Sequence, residues 1–348
     1  MRFRLYISHF ENQASNERVK RMKKLALKIG LLLLVVAPAQ MLIGPLIVSR
    51  ERGMESIRKL ERYLDDDTDV IFFSDSVNRS FARDDTKKKA VSENLQEKLP
   101  EYSVGSVDEY AFQMDVYLHF FRYIINHEKR PRAIVVPINM NTFSPNWNLR
   151  PIDQFDQLKL ILIHNNSIIF NALYSPLKTF KVLPEMPSIT DKEFKSTPVF
   201  NGGTFVGCVR DYEGPKYLAA TRRNRKNKVI YYYMYSLKED HRRLRQMMQI
   251  ARLGRENSIK VIFYITPIDW ESCGRLVEGF SERLRENTAV VCTVLSREKF
   301  DVVDMAFEIK AENFCWGSYP NEHLDDFGRD YVAGRIARRI REELESGE

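Results

Sequence analysis

The chain of 348 residues carries 54 Lys and Arg against 47 Asp and Glu, a formal net charge of +7. With 44% hydrophobic and 29% charged residues it has an ordinary globular composition, with room for one large α/β domain or two small ones. Four cysteines without CxxC spacing exclude a disulfide framework, and six histidines without an HExxH pattern exclude that zinc motif, so neither a metal site nor a cofactor is expected.

The positive charge is concentrated before residue 30, where Arg2, Arg4, Arg18, Lys20, Arg21, Lys23, Lys24 and Lys28 outnumber Glu11 and Glu17. Ile29 to Val48 comes next without a charged residue, about one bilayer's length of helix at ~1.5 Å rise per residue. A basic flank before an apolar span keeps the N-terminus in the cytoplasm and exports the rest of the chain. Residues 1–28 thus read as a cytoplasmic tail, 29–48 as a transmembrane anchor, 49–68 as a charged juxtamembrane helix and 69–348 as an exported domain. Ala37-Pro38-Ala39 resembles a signal cleavage site, but the apolar run continues through Met41, Leu42, Ile43 and Leu46, which favours a retained anchor over a cleaved signal or a buried core helix.

In the exported part, Asp69 to Phe73 has the short, apolar character of a buried strand. A helix over Thr86 to Leu99, a strand over Tyr102 to Val107, a helix over Tyr117 to Ile125 and a strand over Arg132 to Ile138 come next. Later, Leu237 to Asn257 reads as helix, Ile259 to Ile265 as strand, Leu276 to Asn287 as helix and Ala289 to Val294 as strand. The last helix starts at the Asp325-Asp326 pair and buries Val332, Ile336 and Ile340. Alternation of this kind predicts a three-layer, flavodoxin-like parallel sheet with helices on both faces, preceded by one transmembrane helix. Ligands of such sheets bind beyond the carboxyl ends of the strands, which directs attention to the turns after Phe73, Ile138 and Ile265.

Residues 145–228 interrupt the alternation as an insertion or cap, with a helix candidate over Phe155 to Leu173. Its basic run, Arg222 to Lys228, precedes Tyr231-Tyr232-Tyr233. That run is either a solvated loop or a contact for lipid headgroups or an acidic polymer; no nucleic-acid partner is expected on the exported side.

Ser74-Asp75-Ser76 stands just past the first strand, where such residues either cap a turn or present a hydroxyl to the ligand edge. Near the other end, Tyr319-Pro320-Asn321-Glu322-His323-Leu324 sets one histidine before the last helix. The layout resembles the SGNH (GDSL-like) hydrolase superfamily, whose members open with Gly-Asp-Ser after the first strand and close with Asp-x-x-His before the last helix. Ser74 replaces the glycine here, and Pro320 replaces the aspartate. The anchor and exported domain are similar to the branch that modifies surface polymers, such as alginate O-acetyltransferases and the teichoic-acid D-alanylation protein.

The resemblance implies that Ser76 attacks an ester carbonyl, that His323 takes its proton, and that Asn139 or Asn141 helps hold the oxyanion. Asp269, past the fourth strand, is read as a substrate contact or a turn cap. With Pro320 in place of the aspartate, Glu322, Asp301 and Asp304 are the candidates to orient the histidine. The implied function is an exported serine O-acyl esterase or O-acyltransferase acting on a polysaccharide or other acylated surface polymer, a transferase drawing on an acyl-donating membrane protein as partner. The alternative is a catalytically silent glycan-binding or assembly module of the same fold.

Overall fold

The computed structural model describes residues 54–82, 85–148, 155–163, 222–315 and 322–345, with short stretches within 22–31 and 200–205. The chain divides into Met1–Glu51 with Asn166–Glu185, which lies almost wholly outside those residues, and a larger unit, Arg52–Asn165 with Met186–Glu348. The predicted span Ile29 to Val48 lies outside them except for residues 30 and 31. Among the described residues no helix is long and apolar enough to cross a membrane.

The larger unit is built on five parallel strands: β1 (Val70–Ser74), β2 (Val104–Asp108), β3 (Ala133–Ile138), β4 (Lys260–Ile265) and β5 (Val302–Asp304). Their order, β2-β1-β3-β4-β5, is that of a doubly wound sheet. The register runs Val70 opposite Val104 and Ala133, and Ala133 opposite Lys260. β1 and β3 are buried along their whole length, as strands covered on both faces must be.

Helix α1 (Met54–Asp65) precedes the sheet. It was expected to lead off a membrane; its face of Met54, Ile57, Leu60 and Leu64 is buried. A Cβ added to Gly105 of β2 would stand 2.5 Å from the Tyr63 ring, so glycine lets this helix lie against the edge strand. Further helices are α2 (Val91–Lys98), α3 (Met114–Ile125), α4 (Asp156–Ile163), α5 (Arg222–Tyr233), α6 (Arg242–Glu256), α7 (Trp270–Leu276), α8 (Phe280–Arg297) and α9 (Asp326–Glu345), with a single helical turn at Pro145–Asn148. On one face, Val91 and Leu95 of α2 and Val332, Ile336 and Ile340 of α9 pack on Val70, Phe72, Val135 and Ile262. On the other, Phe73 stacks on Tyr117 of α3, ring centroids 5.4 Å apart, and α6 lies against β4.

Two expectations change. Ala289 to Val294 is not a strand but the middle of α8. Its valines suggested β structure, but Phe280, Leu284, Asn287, Val291 and Leu295 are buried at helical spacing, and that periodicity prevails. The last strand comes later, at Val302–Asp304. The basic run from Arg222 is not a loop; it is the first half of α5, whose end carries Tyr231, Tyr232 and Tyr233 into the interior. Of the helix predicted over Phe155 to Leu173, Asp156–Ile163 is helical and the rest lies outside the described residues.

The α6–β4 contact generates a test. A Cβ on Gly254 would fall 2.4 Å from Val261 Cγ2 and 2.9 Å from the Ile259 carbonyl oxygen, and a backbone oxygen cannot move aside. Alanine is worth ~1 kcal/mol over glycine in a free helix, but overpacking costs ~1–3 kcal/mol. Gly254→Ala should therefore lower the denaturation midpoint, against the propensity trend. A raised midpoint would contradict this packing.

Candidate active site

The turn after β1 reads Ser74-Asp75-Ser76-Val77-Asn78-Arg79-Ser80, and short polar side chains of this kind bond to nearby backbone and so make turns. Asp75 accepts from the Val77 N–H at 2.9 Å and starts the 3₁₀ turn Ser76–Arg79. Asn78 donates to Ser106 Oγ at 3.1 Å and accepts from the Ser92 N–H at 2.9 Å, linking β2 and α2. Arg79 pairs with Asp108 at 3.1 Å. Ser76 stands partly exposed at the start of this pinned turn, at the carboxyl edge of the sheet.

His323 arrives from the opposite end of the chain. Its carbonyl accepts from the Cys315 N–H at 2.8 Å, next to an antiparallel bridge between Phe314 and Leu324. Asp325 caps α9 through the Gly328 N–H at 2.8 Å. The result is a Ser76 Oγ to His323 Nε2 distance of 3.1 Å. Burial pushes the imidazole down to about 4, so at neutral pH the ring is uncharged. In the tautomer protonated on Nδ1, Nε2 accepts from the serine hydroxyl, the arrangement a nucleophile and its base require.

Arg329 joins the two loops. The side chain is fully buried, and its five N–H groups meet the carbonyls of Lys89, Ser80, Leu324 and Lys87 and the Asp85 carboxylate, at 2.6–3.1 Å. Ser80 belongs to the nucleophile turn, and Leu324 comes directly after the histidine. Asp326 adds a second latch, accepting from the N–H groups of Thr86 and Lys87. Residues 86–90, predicted as the start of a helix, are drawn into these contacts, so α2 begins only at Val91. The signal for Arg329 was present: it falls in line with Val332 and Ile336, a charge on the apolar face of an amphipathic helix.

The asparagines lie where the β3 exit passes the pair, but their amides are engaged. Asn139 Nδ2 donates to Asp75, and Asn141 Nδ2 donates to Glu322 Oε2 at 3.2 Å. Each bond takes one of the two Nδ2 hydrogens of its carboxamide. The three proposed orienters of His323 are engaged as well. Glu322 also accepts from the Tyr233 hydroxyl at 3.2 Å, Asp301 lies beside Arg339 at 3.5 Å on the surface, and Asp304 accepts from the Ala306 N–H at 3.0 Å. Pro320 lies outside the described residues. Asp269 caps the following helix, accepting from the Ser272 N–H at 3.1 Å. Tyr233, which the sequence marked only as part of an aromatic run, enters the site through Glu322.

Two buried carboxyl groups lie beneath the pair. Burial raises Asp75 to about 7, the Asn139 and Val77 donors offsetting only part of that shift. Burial and the charge of Asp75 raise Glu322 to about 8. Among the described residues no group of three or more His, Cys, Asp or Glu is placed to hold a metal ion.

Comparison with family models and with curated proteins finds no match. Solved structures that align include an acetylxylan esterase from Geobacillus stearothermophilus at 11% identity, covering 78% of this chain and 94% of that one with a TM-score of 0.38. A GDSL-like lipase from Bacteroides thetaiotaomicron aligns at 10% identity over 83% and 98% of the two chains, TM-score 0.35. The aryl esterase of M. smegmatis aligns at 10% identity over 78% and 98%, TM-score 0.34. At these scores no residue role is transferred, and the roles of Ser76 and His323 rest on this chain's own geometry.

Asp75 predicts a pH dependence of stability. Its folded value of about 7 lies above the ordinary 3.8, so the folded chain holds a proton that the unfolded chain releases. Stability from this group is complete below about pH 4 and is lost as pH rises toward about 7. The melting temperature of Asp75→Asn minus that of the wild type should therefore increase between those limits. A difference that stays constant or falls with pH would place Asp75 in a different environment.

Proposed function

We propose that the protein is a serine acyl-transfer enzyme, an O-acyl esterase or O-acyltransferase. The observation that carries this reading is the 3.1 Å approach of Ser76 Oγ to a neutral His323 Nε2 at the carboxyl edge of a doubly wound sheet. The serine oxygen attacks an ester carbonyl while its proton passes to Nε2. The tetrahedral intermediate collapses, the leaving alkoxide takes that proton from the imidazolium, and the acyl group stays on Ser76. Water or a sugar hydroxyl, deprotonated by the same nitrogen, then releases it, giving hydrolysis or transfer.

The substrate in this reading is an acylated polysaccharide or related polymer outside the cytoplasm, reached by a domain held at the membrane. An acyl-donating membrane protein is the partner a transferase would need. The basic flank and the uncharged run from Ile29 to Val48 support this placement. A second reading, a catalytically silent glycan-binding module, draws support from Pro320, which stands where the resemblance expects the orienting aspartate, since losing the orienting carboxylate of a triad costs ~10⁴-fold in rate.

The full chain should hydrolyse a small acetyl ester and accept a fluorophosphonate label on Ser76. Ser76→Ala and His323→Ala should each reduce turnover ~10⁴-fold or more, with no further loss in the double variant. Because the base must be neutral, kcat/KM should hold from neutral pH down to about 5 and decline through about 4. A folded wild type no faster than Ser76→Ala, on acetyl esters and acetylated glycans alike, would leave the silent module. For placement, a reporter active only outside the cytoplasm and fused after Glu348 should be active; a silent reporter with an active cytoplasmic counterpart would reverse the topology.

A further inference from the structure

Glu322 has been described as a carboxylate occupied elsewhere, and its partners give it another role. Its side chain is 3% exposed, and the next residue is His323. Oε2 accepts from Asn141, which leaves β3, and Oε1 accepts from Tyr233, which ends α5. These two donors belong to segments far apart in the chain. Tyr233 packs edge-on against Phe280, centroids 5.8 Å apart. Ser144 Oγ donates to the Tyr231 carbonyl at 2.7 Å, and the Tyr235 hydroxyl donates to the Met140 carbonyl. The end of α5 is thus fastened to the β3 exit on both sides of Tyr233, and the hydroxyl of Tyr233 reaches past it to the histidine loop.

We infer that Glu322 is a positioning residue through which α5, which begins in the insertion and ends at Tyr233 just beyond it, sets the geometry of the Ser76–His323 pair. The inference rests on the acyl-transfer reading and extends it: the insertion becomes part of the catalytic apparatus instead of an appended cap. The backbone at His323 is fixed on one side by its bond to Cys315, and the link from Glu322 to Tyr233 and Asn141 fixes the other. A near-neutral Glu322 suits this role. Among the described residues no cation pairs with it and the charge of Asp75 opposes its ionisation, so an ionised carboxylate there would lack a counter-charge. A protonated carboxyl can donate one hydrogen bond and accept another, and tyrosine and asparagine can each answer either. Glutamine can do the same; alanine cannot.

The test is the rate at which Ser76 of the full chain is labelled by a fluorophosphonate, resolved into the maximal rate and the half-saturating concentration. Glu322→Ala should lower the maximal rate by up to ~10²-fold with the half-saturating concentration little changed, the signature of a misplaced base. Glu322→Gln should restore it to within a few-fold of wild type. Tyr233→Phe keeps the ring against Phe280 and removes only the hydroxyl; it should lower the maximal rate too, and add nothing to Glu322→Ala in the double variant. Wild-type rates in Tyr233→Phe and Glu322→Ala, or losses that add, would overturn the inference while leaving the acyl-transfer reading intact. If wild-type Ser76 takes no label, the acyl-transfer reading fails instead, and crystal structures decide on the link. Opening of the Ser76–His323 approach beyond hydrogen-bond reach in Tyr233→Phe or Glu322→Ala would uphold it, and an unchanged 3.1 Å in both would refute it.

Discussion

One buried guanidinium holds this site in register. Arg329 and Asp85 form an ion pair with side-chain exposures of 0% and 1%, and removing two charges from water to that extent is costly. The cost is offset because every N–H of the guanidinium has an acceptor, four of them backbone carbonyls. Those carbonyls belong to the loop after the nucleophile and to the residue after the histidine. The same group that satisfies the backbone therefore sets the distance between the two reacting side chains. A lysine could not replace it, since its ammonium has three donors and no planar fork.

Around that clamp the polar groups of the interior are arranged in pairs that cross between elements. Asp75 faces Asn139, Glu322 faces Asn141 and Tyr233, and Lys159 of α4 is buried 3.0 Å from Asp115 of α3. Each bond joins a part of the insertion or of the β3 exit to the doubly wound core. The sheet supplies a common edge and the helices keep it dry; the crossing bonds decide where on that edge a side chain comes to rest. This separation explains why two carboxyl groups can lie beneath the serine, with Glu322 largely protonated and Asp75 about half protonated at neutral pH.

The legibility of the chain divides along the same line. β1, β3 and β4 are continuous apolar runs between polar ends, and such runs carry their own evidence. Ser76 and His323 were legible through the resemblance, since by position alone a serine past a first strand caps a turn as readily as it presents a nucleophile. The helix at 280–297 was misread because a run of valine and threonine resembles a strand until its burial is seen at fourfold spacing. The partners of Asn139, Asn141, Glu322 and Asp269 could not be read at all. Each can cap a turn, bind substrate or bridge elements with equal ease, and only the crossing of loops from distant parts of the chain decides among these. Arg329 lies between the two cases, since its burial could be inferred from its helical face though its acceptors could not.

Ser76 and His323 are 247 residues apart, and Ser80 and Arg329 are 249 apart. Contacts of such sequence separation are the slowest that a chain closes, because the entropy of the intervening loop is lost before any contact compensates for it. During synthesis β1 to β4 are made before His323 and α9 exist, so on the acyl-transfer reading the nucleophile precedes its base by most of the domain. On that reading Ser76 stays a poor nucleophile until the C-terminal loop brings His323 to it. Reactivity at Ser76 would then report that this loop and α9, which carries the Arg329 clamp, have docked.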